Sequence, residues 1–226
     1  MLAIVGSGEY LPAMNAVDRQ LIELFERPPR VACLPTAAGT EGDVMIDDWM
    51  QRGVDHFTSL GVEADGVRVW NDATANDPAL AERIAAADFV YLSGGKPGYL
   101  MSTLTGSRAW AAISDVIERG GLLAGCSAGA MIQGERFAGM PRAQRGFAMW
   151  PGVQIIPHFD EIPSLVVSGM RRVVGARLTV VGVNGNTALL KTDAGPYRVI
   201  GDRVTVWTAT DKAEFGPGDL PEGLLP

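Results

Sequence analysis

Short apolar runs separated by amphipathic stretches set the pattern of the first two thirds of the chain. Residues 2–5, 30–34, 67–70, 88–92 and 122–124 are apolar segments of the length expected for strands buried on both faces. Between them the apolar positions recur at helical spacing. Asn15 can cap a helix running to about residue 27, with Val17, Leu21, Ile22 and Leu24 on one face. Residues 41–60 carry Val44, Ile46, Trp49, Val54 and Phe57 at a similar period, Asp77-Pro78 opens a helix to about residue 86, and residues 107–119 form another. Such alternation, with right-handed crossovers, predicts an α/β fold: a doubly wound, mostly parallel sheet flanked by helices.

The last third changes character. A short strand over 154–156 and a helical stretch over 162–174 precede four close-spaced apolar runs at 178–183, 188–192, 197–200 and 204–208. Asn184-Gly185 is a hairpin-type dipeptide, so these C-terminal strands are expected to be antiparallel and to extend one edge of the sheet. The Pro/Gly-rich tail from Phe215 onward reads as irregular. No repeat or interdomain linker stands out, and the 226 residues suit one domain over 1–226.

Composition narrows the function classes. A net charge of −7 argues against a nucleic-acid or anionic-membrane partner. No run approaches 18 apolar residues, so no transmembrane helix is expected. The two cysteines, Cys33 and Cys126, sit in or beside predicted strands without metal-ligand spacing, which fits a reducing cytoplasm and no bound metal.

The chemistry concentrates where the strand at 122–124 ends. Gly125-Cys126-Ser127-Ala128-Gly129 is G-x-S-x-G, between an apolar strand and a small-residue helix start. This is the nucleophile-elbow pattern, in which glycines allow a sharp turn that lifts the serine hydroxyl out at the carboxyl end of the sheet. Cys126 enters the same turn off its tip and reads as a small buried hydrophobe. Gly94-Gly95 follows the strand at 88–92, so an amide of Gly94 or Gly95 and that of Ala128 could together hold an oxyanion. Gly6-Ser7-Gly8 lacks the third glycine of a dinucleotide fingerprint, since Leu11 stands there. Of the two histidines, His56 falls inside an amphipathic helix as a partly exposed residue, whereas His158 follows a strand and suits a general base for Ser127.

These stretches together resemble a known family. Gly125–Ala130 (G-C-S-A-G-A) with Ile156–Phe159 (I-P-H-F), supported by I-V-G-S-G-E, L-P-T-A-A-G, Y-L-S-G-G and G-V-N-G-N-T-A-L, resembles the serine peptidases of the dipeptidase E (α-aspartyl dipeptidase) and cyanophycinase family. The resemblance covers nearly the whole chain. It implies a class I glutamine amidotransferase-like fold, hydrolysis of a small peptide next to an aspartyl residue, Ser127 as nucleophile, His158 as base, and no cofactor. A homodimer is compatible with it. Arg171 and Arg172, on the predicted helix after His158, are candidates by position for an acidic substrate side chain.

The third triad member departs from the family. The resemblance implies an acid in an N-D-M-P-like stretch between serine and histidine; here Ala138-Gly139-Met140-Pro141 has glycine at that place. Glu135 is the only carboxylate between Ser127 and Pro157 and is the candidate to orient His158; Asp160 and Glu161 lie close along the chain, where only a turn brings one near. The alternative function is therefore a non-catalytic descendant that binds a small acidic ligand or a protein partner. A carboxylate within hydrogen-bond reach of the imidazole separates the two.

Overall fold

The computed structural model describes residues 1–138, 143–163, 165–169, 177–193 and 195–225. Its first five strands are β1 (Leu2–Val5), β2 (Val31–Leu34), β3 (Ala64–Gly66), β4 (Phe89–Leu92) and β5 (Leu122–Cys126). A second group comprises β6 (Arg136–Phe137), β7 (Gln144–Arg145), β8 (Val153–Ile156) and β9 (Thr179–Val183). The chain ends with β10 (Ala188–Lys191), β11 (Arg198–Ile200), β12 (Val204–Trp207), β13 (Lys212–Phe215) and β14 (Gly218–Asp219). An eight-stranded sheet has the order β14-β11-β10-β1-β5-β4-β2-β3, parallel from β1 to β3 and antiparallel from β1 outward through β10.

Successive residues of the central strands feed opposite faces, as the period of two requires. Ile4, Leu34, Leu92 and Leu123 pack on one face with Ile84, Leu100, Leu104 and Ile113. The helices there are α4 (Pro78–Ala85), α5 (Pro97–Leu104) and α6 (Arg108–Glu118). Val5, Cys33, Tyr91 and Ala124 pack on the other face with Val17, Leu21 and Phe57, from α1 (Asn15–Ile22) and α2 (Asp43–Ser59). The short α3 (Asp72–Ala75) precedes α4, and α7 (Ala128–Met131) follows β5. Burying each large aliphatic or aromatic side chain here contributes about 1.5–3 kcal/mol, which is why two continuous cores fix the sandwich.

Helix starts follow the local chemistry. Asp77 accepts the Ala79 N–H and Ser107 accepts the Trp110 N–H, each filling a donor that the first turn leaves open. His56, expected to be partly exposed, is instead 6% exposed, with Nε2 2.7 Å from Asp18 Oδ2. Burial pushes the Asp18 carboxyl up from its usual range, and the His56 hydrogen bond opposes that. The pair ties α1 to α2.

Two expectations about the sheet change. The strand expected at 67–70 lies earlier, at β3; Val67 and Val69 are buried as their hydrophobicity demands, yet only the Val67 N–H still reaches Cys33 O. Asn184-Gly185 does not close a hairpin. It passes the chain between sheets: β9 belongs to a separate four-stranded sheet, β13-β12-β9-β8, while β10 joins the large one. β10, β11 and β14 do extend one edge of the main sheet antiparallel, and β8 pairs with β9 in parallel. The tail holds the two-residue β14.

Candidate active site

β5 delivers the chain to Ser127, whose backbone has φ +50° and ψ −105°, a region in which a side chain is strained. The flanking glycines explain how the turn closes. A Cβ on Gly125 would lie 2.2 Å from Gly129 O, and one on Gly129 would lie 2.6 Å from Leu92 O. Ser127 N donates to Val5 O, and Ala130 N and Met131 N donate to Ser127 O, so the strained residue is held from both sides. Gln133 adds a brace that sequence reasoning missed. Its buried Nε2 donates to Ala3 O and Gly129 O, and its Oε1 accepts from Trp150 Nε1.

His158 follows β8, also at positive φ (52°). Its Nε2 stands 3.2 Å from Ser127 Oγ. Phe159 N donates to Val183 O, and the Phe159 ring lies against Gly182, where an added Cβ would meet it at 2.2 Å. The turn closes when Glu161 N donates to His158 O. That turn brings Glu161 Oε2 to 3.2 Å from His158 Nδ1.

The expected acid is therefore corrected. Glu135 Oε2 accepts the Gly152 N–H at 2.8 Å, where it fastens the segment before β8, and the carboxylate bonded to the imidazole is Glu161. Asp160 accepts from Gly185 N, which anchors the His158 loop against the segment between β9 and β10. Arg171 and Arg172 lie outside the described residues.

The oxyanion candidates separate as well. Gly94 N donates to Glu9 Oε1 at 2.9 Å, so this amide is occupied. The N–H groups of Gly95 and Ala128 are not engaged by another described residue. Gly95 has φ +138° and its Cβ position falls 2.5 Å from Ala37 O, which only glycine tolerates. Glu9 was missed by sequence reasoning, although its place just beyond the carboxyl end of β1, beside Gly6-Ser7-Gly8, is a signal of the kind used for His158.

Cys126 donates its thiol to Glu9 Oε2 at 3.1 Å. Burial, and then the Glu9 charge, pushes the thiol well above its ordinary range, so it stays protonated and unreactive. Alkylation by iodoacetamide at pH 8 is expected to leave Cys126 unmodified in the folded protein and to modify it in denaturant; rapid modification of the native protein would contradict this. Among the described residues no cluster of three or more His, Cys, Asp or Glu side chains could hold a metal ion, and no helix is long and apolar enough to cross a membrane.

Comparison with known proteins is consistent across the chain. The sequence model of peptidase family S51 matches residues 1–195. The crystal structure of a peptidase from an acI-B1 actinobacterium is 31% identical, covers 96% of this chain and 94% of its own, and superposes with a TM-score of 0.85. A putative peptidase E protein from Listeria monocytogenes EGD-e is 18% identical, covers 88% and 96%, and has a TM-score of 0.62, a likeness of fold. No curated protein matches.

Proposed function

The chain belongs to peptidase family S51, and on that premise we propose that it is a serine peptidase using Ser127, His158 and Glu161. The observation that carries this reading is the continuous chain from Ser127 Oγ through both imidazole nitrogens to Glu161 Oε2, each link 3.2 Å. Ser127 Oγ attacks the scissile carbonyl while His158 Nε2 takes its proton. The N–H groups of Gly95 and Ala128 are the donors for the oxyanion. Collapse of the tetrahedral intermediate breaks the C–N bond, and the imidazolium returns its proton to the leaving amine. Water then repeats the sequence on the acyl-enzyme, with His158 again as base.

The non-catalytic alternative drew its support from a missing acid, and a carboxylate stands at the imidazole. An aspartyl preference, which the resemblance implies, would need a cation at the side-chain pocket. Arg171 and Arg172 lie outside the described residues, and the described lining beside Ser127 and His158 carries no Lys or Arg.

Glu161→Gln tests the triad. Its side chain is 62% exposed and that of His158 37%, so water shares the orienting task and the loss should fall below the ~10⁴ of a buried triad acid. We expect turnover to fall roughly 10- to 100-fold with KM little changed. Glu135→Gln should leave turnover unchanged. If Glu135→Gln is the damaging variant and Glu161→Gln is neutral, the assignment is wrong.

A further inference from the structure

Beside the nucleophile lies a cavity of about 190 Å³, lined in part by Ser127 and His158. Its walls are Met131, Ile155, Ile156, Pro157 and Ile162, together with Ala138. A dry apolar cavity of about 150 Å³ accepts a benzene ring, so this space admits a side chain of leucine, methionine or glutamine size. Among the described lining residues, one polar side chain besides Ser127 and His158 breaks the apolar walls. Gln154 is 1% exposed, lines the cavity, and has its Oε1 buried without a hydrogen-bond partner.

A buried amide oxygen without a partner is an unusual feature of a folded chain, and a ligand group can supply what it lacks. The lining also opposes a carboxylate. An anion entering an apolar space must shed its hydration, and Gln154 offers no charge to compensate. The acid nearest the chemistry, Glu161, is bonded to the lining residue His158, so a second carboxylate entering past it would meet like charge.

We propose that this cavity receives an uncharged side chain flanking the scissile bond, a carboxamide best of all, and that Gln154 is the residue that selects it. The inference rests on the serine-peptidase reading of Ser127 given above. A primary amide both donates and accepts, so a glutamine side chain can exchange two hydrogen bonds with Gln154 whichever way round the Gln154 amide lies. A leucine or methionine side chain fills the same space without that pairing, and an aspartate fits neither the walls nor the amide.

The test uses the full chain with an equimolar mixture of free dipeptides varied at both positions, with products followed by mass spectrometry. Wild type, Gln154→Leu and Gln154→Glu are compared, and each is first labelled with a fluorophosphonate to show that Ser127 is present and reactive. For wild type we expect dipeptides carrying glutamine, leucine or methionine to be cleaved with kcat/KM at least about tenfold above their aspartate counterparts. Gln154→Leu should erase the advantage of glutamine over leucine while leucine dipeptides are still cleaved. Gln154→Glu should move the preference toward lysine and arginine. Aspartate or glutamate as the best side chain for wild type overturns the proposal, and so does a preference unchanged in both variants. A labelled Ser127 with acidic preference defeats this inference alone. An unlabelled, inactive but folded wild type defeats the serine-peptidase reading, and this inference falls with it.

Discussion

Ser127→Ala is expected to reduce peptide hydrolysis by roughly 10⁴- to 10⁶-fold while the protein stays folded. The loss is large because the hydroxyl is the attacking atom and its only described side-chain partner is His158 Nε2. Alanine keeps the same backbone, so the strain at φ +50° remains and stability should be nearly unchanged. Ser127→Gly gives the complementary result. Glycine adopts positive φ without penalty, so this variant should be as inactive as Ser127→Ala yet more stable by about 1 kcal/mol. Thermal unfolding and a peptide-cleavage assay on the two variants check both halves. An Ala variant retaining near-native turnover would remove Ser127 from the chemistry.

Gly6→Ala should damage stability far more than a change at a glycine whose Cβ position is open. Gly6 follows β1 and passes over the end of β9, where an added Cβ would fall 1.9 Å from Asn184 O and 2.6 Å from Val183 O. Both contacts are backbone, so no side chain can swing aside, and the chain must shift where the two sheets meet. We expect a cost above about 3 kcal/mol, or a fall in Tm of roughly 10 °C for a chain of this size. Gly61→Ala is the control: its φ is +89°, but its Cβ would point into open space, so its cost should be about 1 kcal/mol. Equal melting temperatures for the two variants would contradict the close-approach argument. The same geometry gives Gly6 a packing role within a segment that superficially suggests a dinucleotide loop.

How much of this was legible in the sequence depended on how local each cause is. The elbow could be read because its first steric demand falls within five residues, where Gly125 and Gly129 must clear each other; the clearance of Gly129 from Leu92 on β4 is not local. The central parallel strands could be read because strands buried on both faces are apolar without interruption. Glu161 could not be assigned as the partner of His158, because that contact depends on His158 taking φ +52°, which a non-glycine residue does not advertise. Glu135 had the right charge and place in the sequence, but the Gly152 N–H claims it across a gap that no local pattern reveals. Asn184-Gly185 carries a hairpin composition, yet the segment is drawn between two sheets by Gly185 pairing with Ser7 and donating to Asp160. β3 was displaced for a related reason. Ala64–Gly66 has little hydrophobicity of its own and is a strand only because β2 offers it a free edge.

The most direct test of the central claim is labelling by a fluorophosphonate, read by intact mass and peptide mapping, on wild type, Ser127→Ala and His158→Ala. The account predicts one adduct on wild type at Ser127, none on Ser127→Ala, and labelling of His158→Ala slowed by orders of magnitude. A folded wild-type protein that takes no label would contradict it.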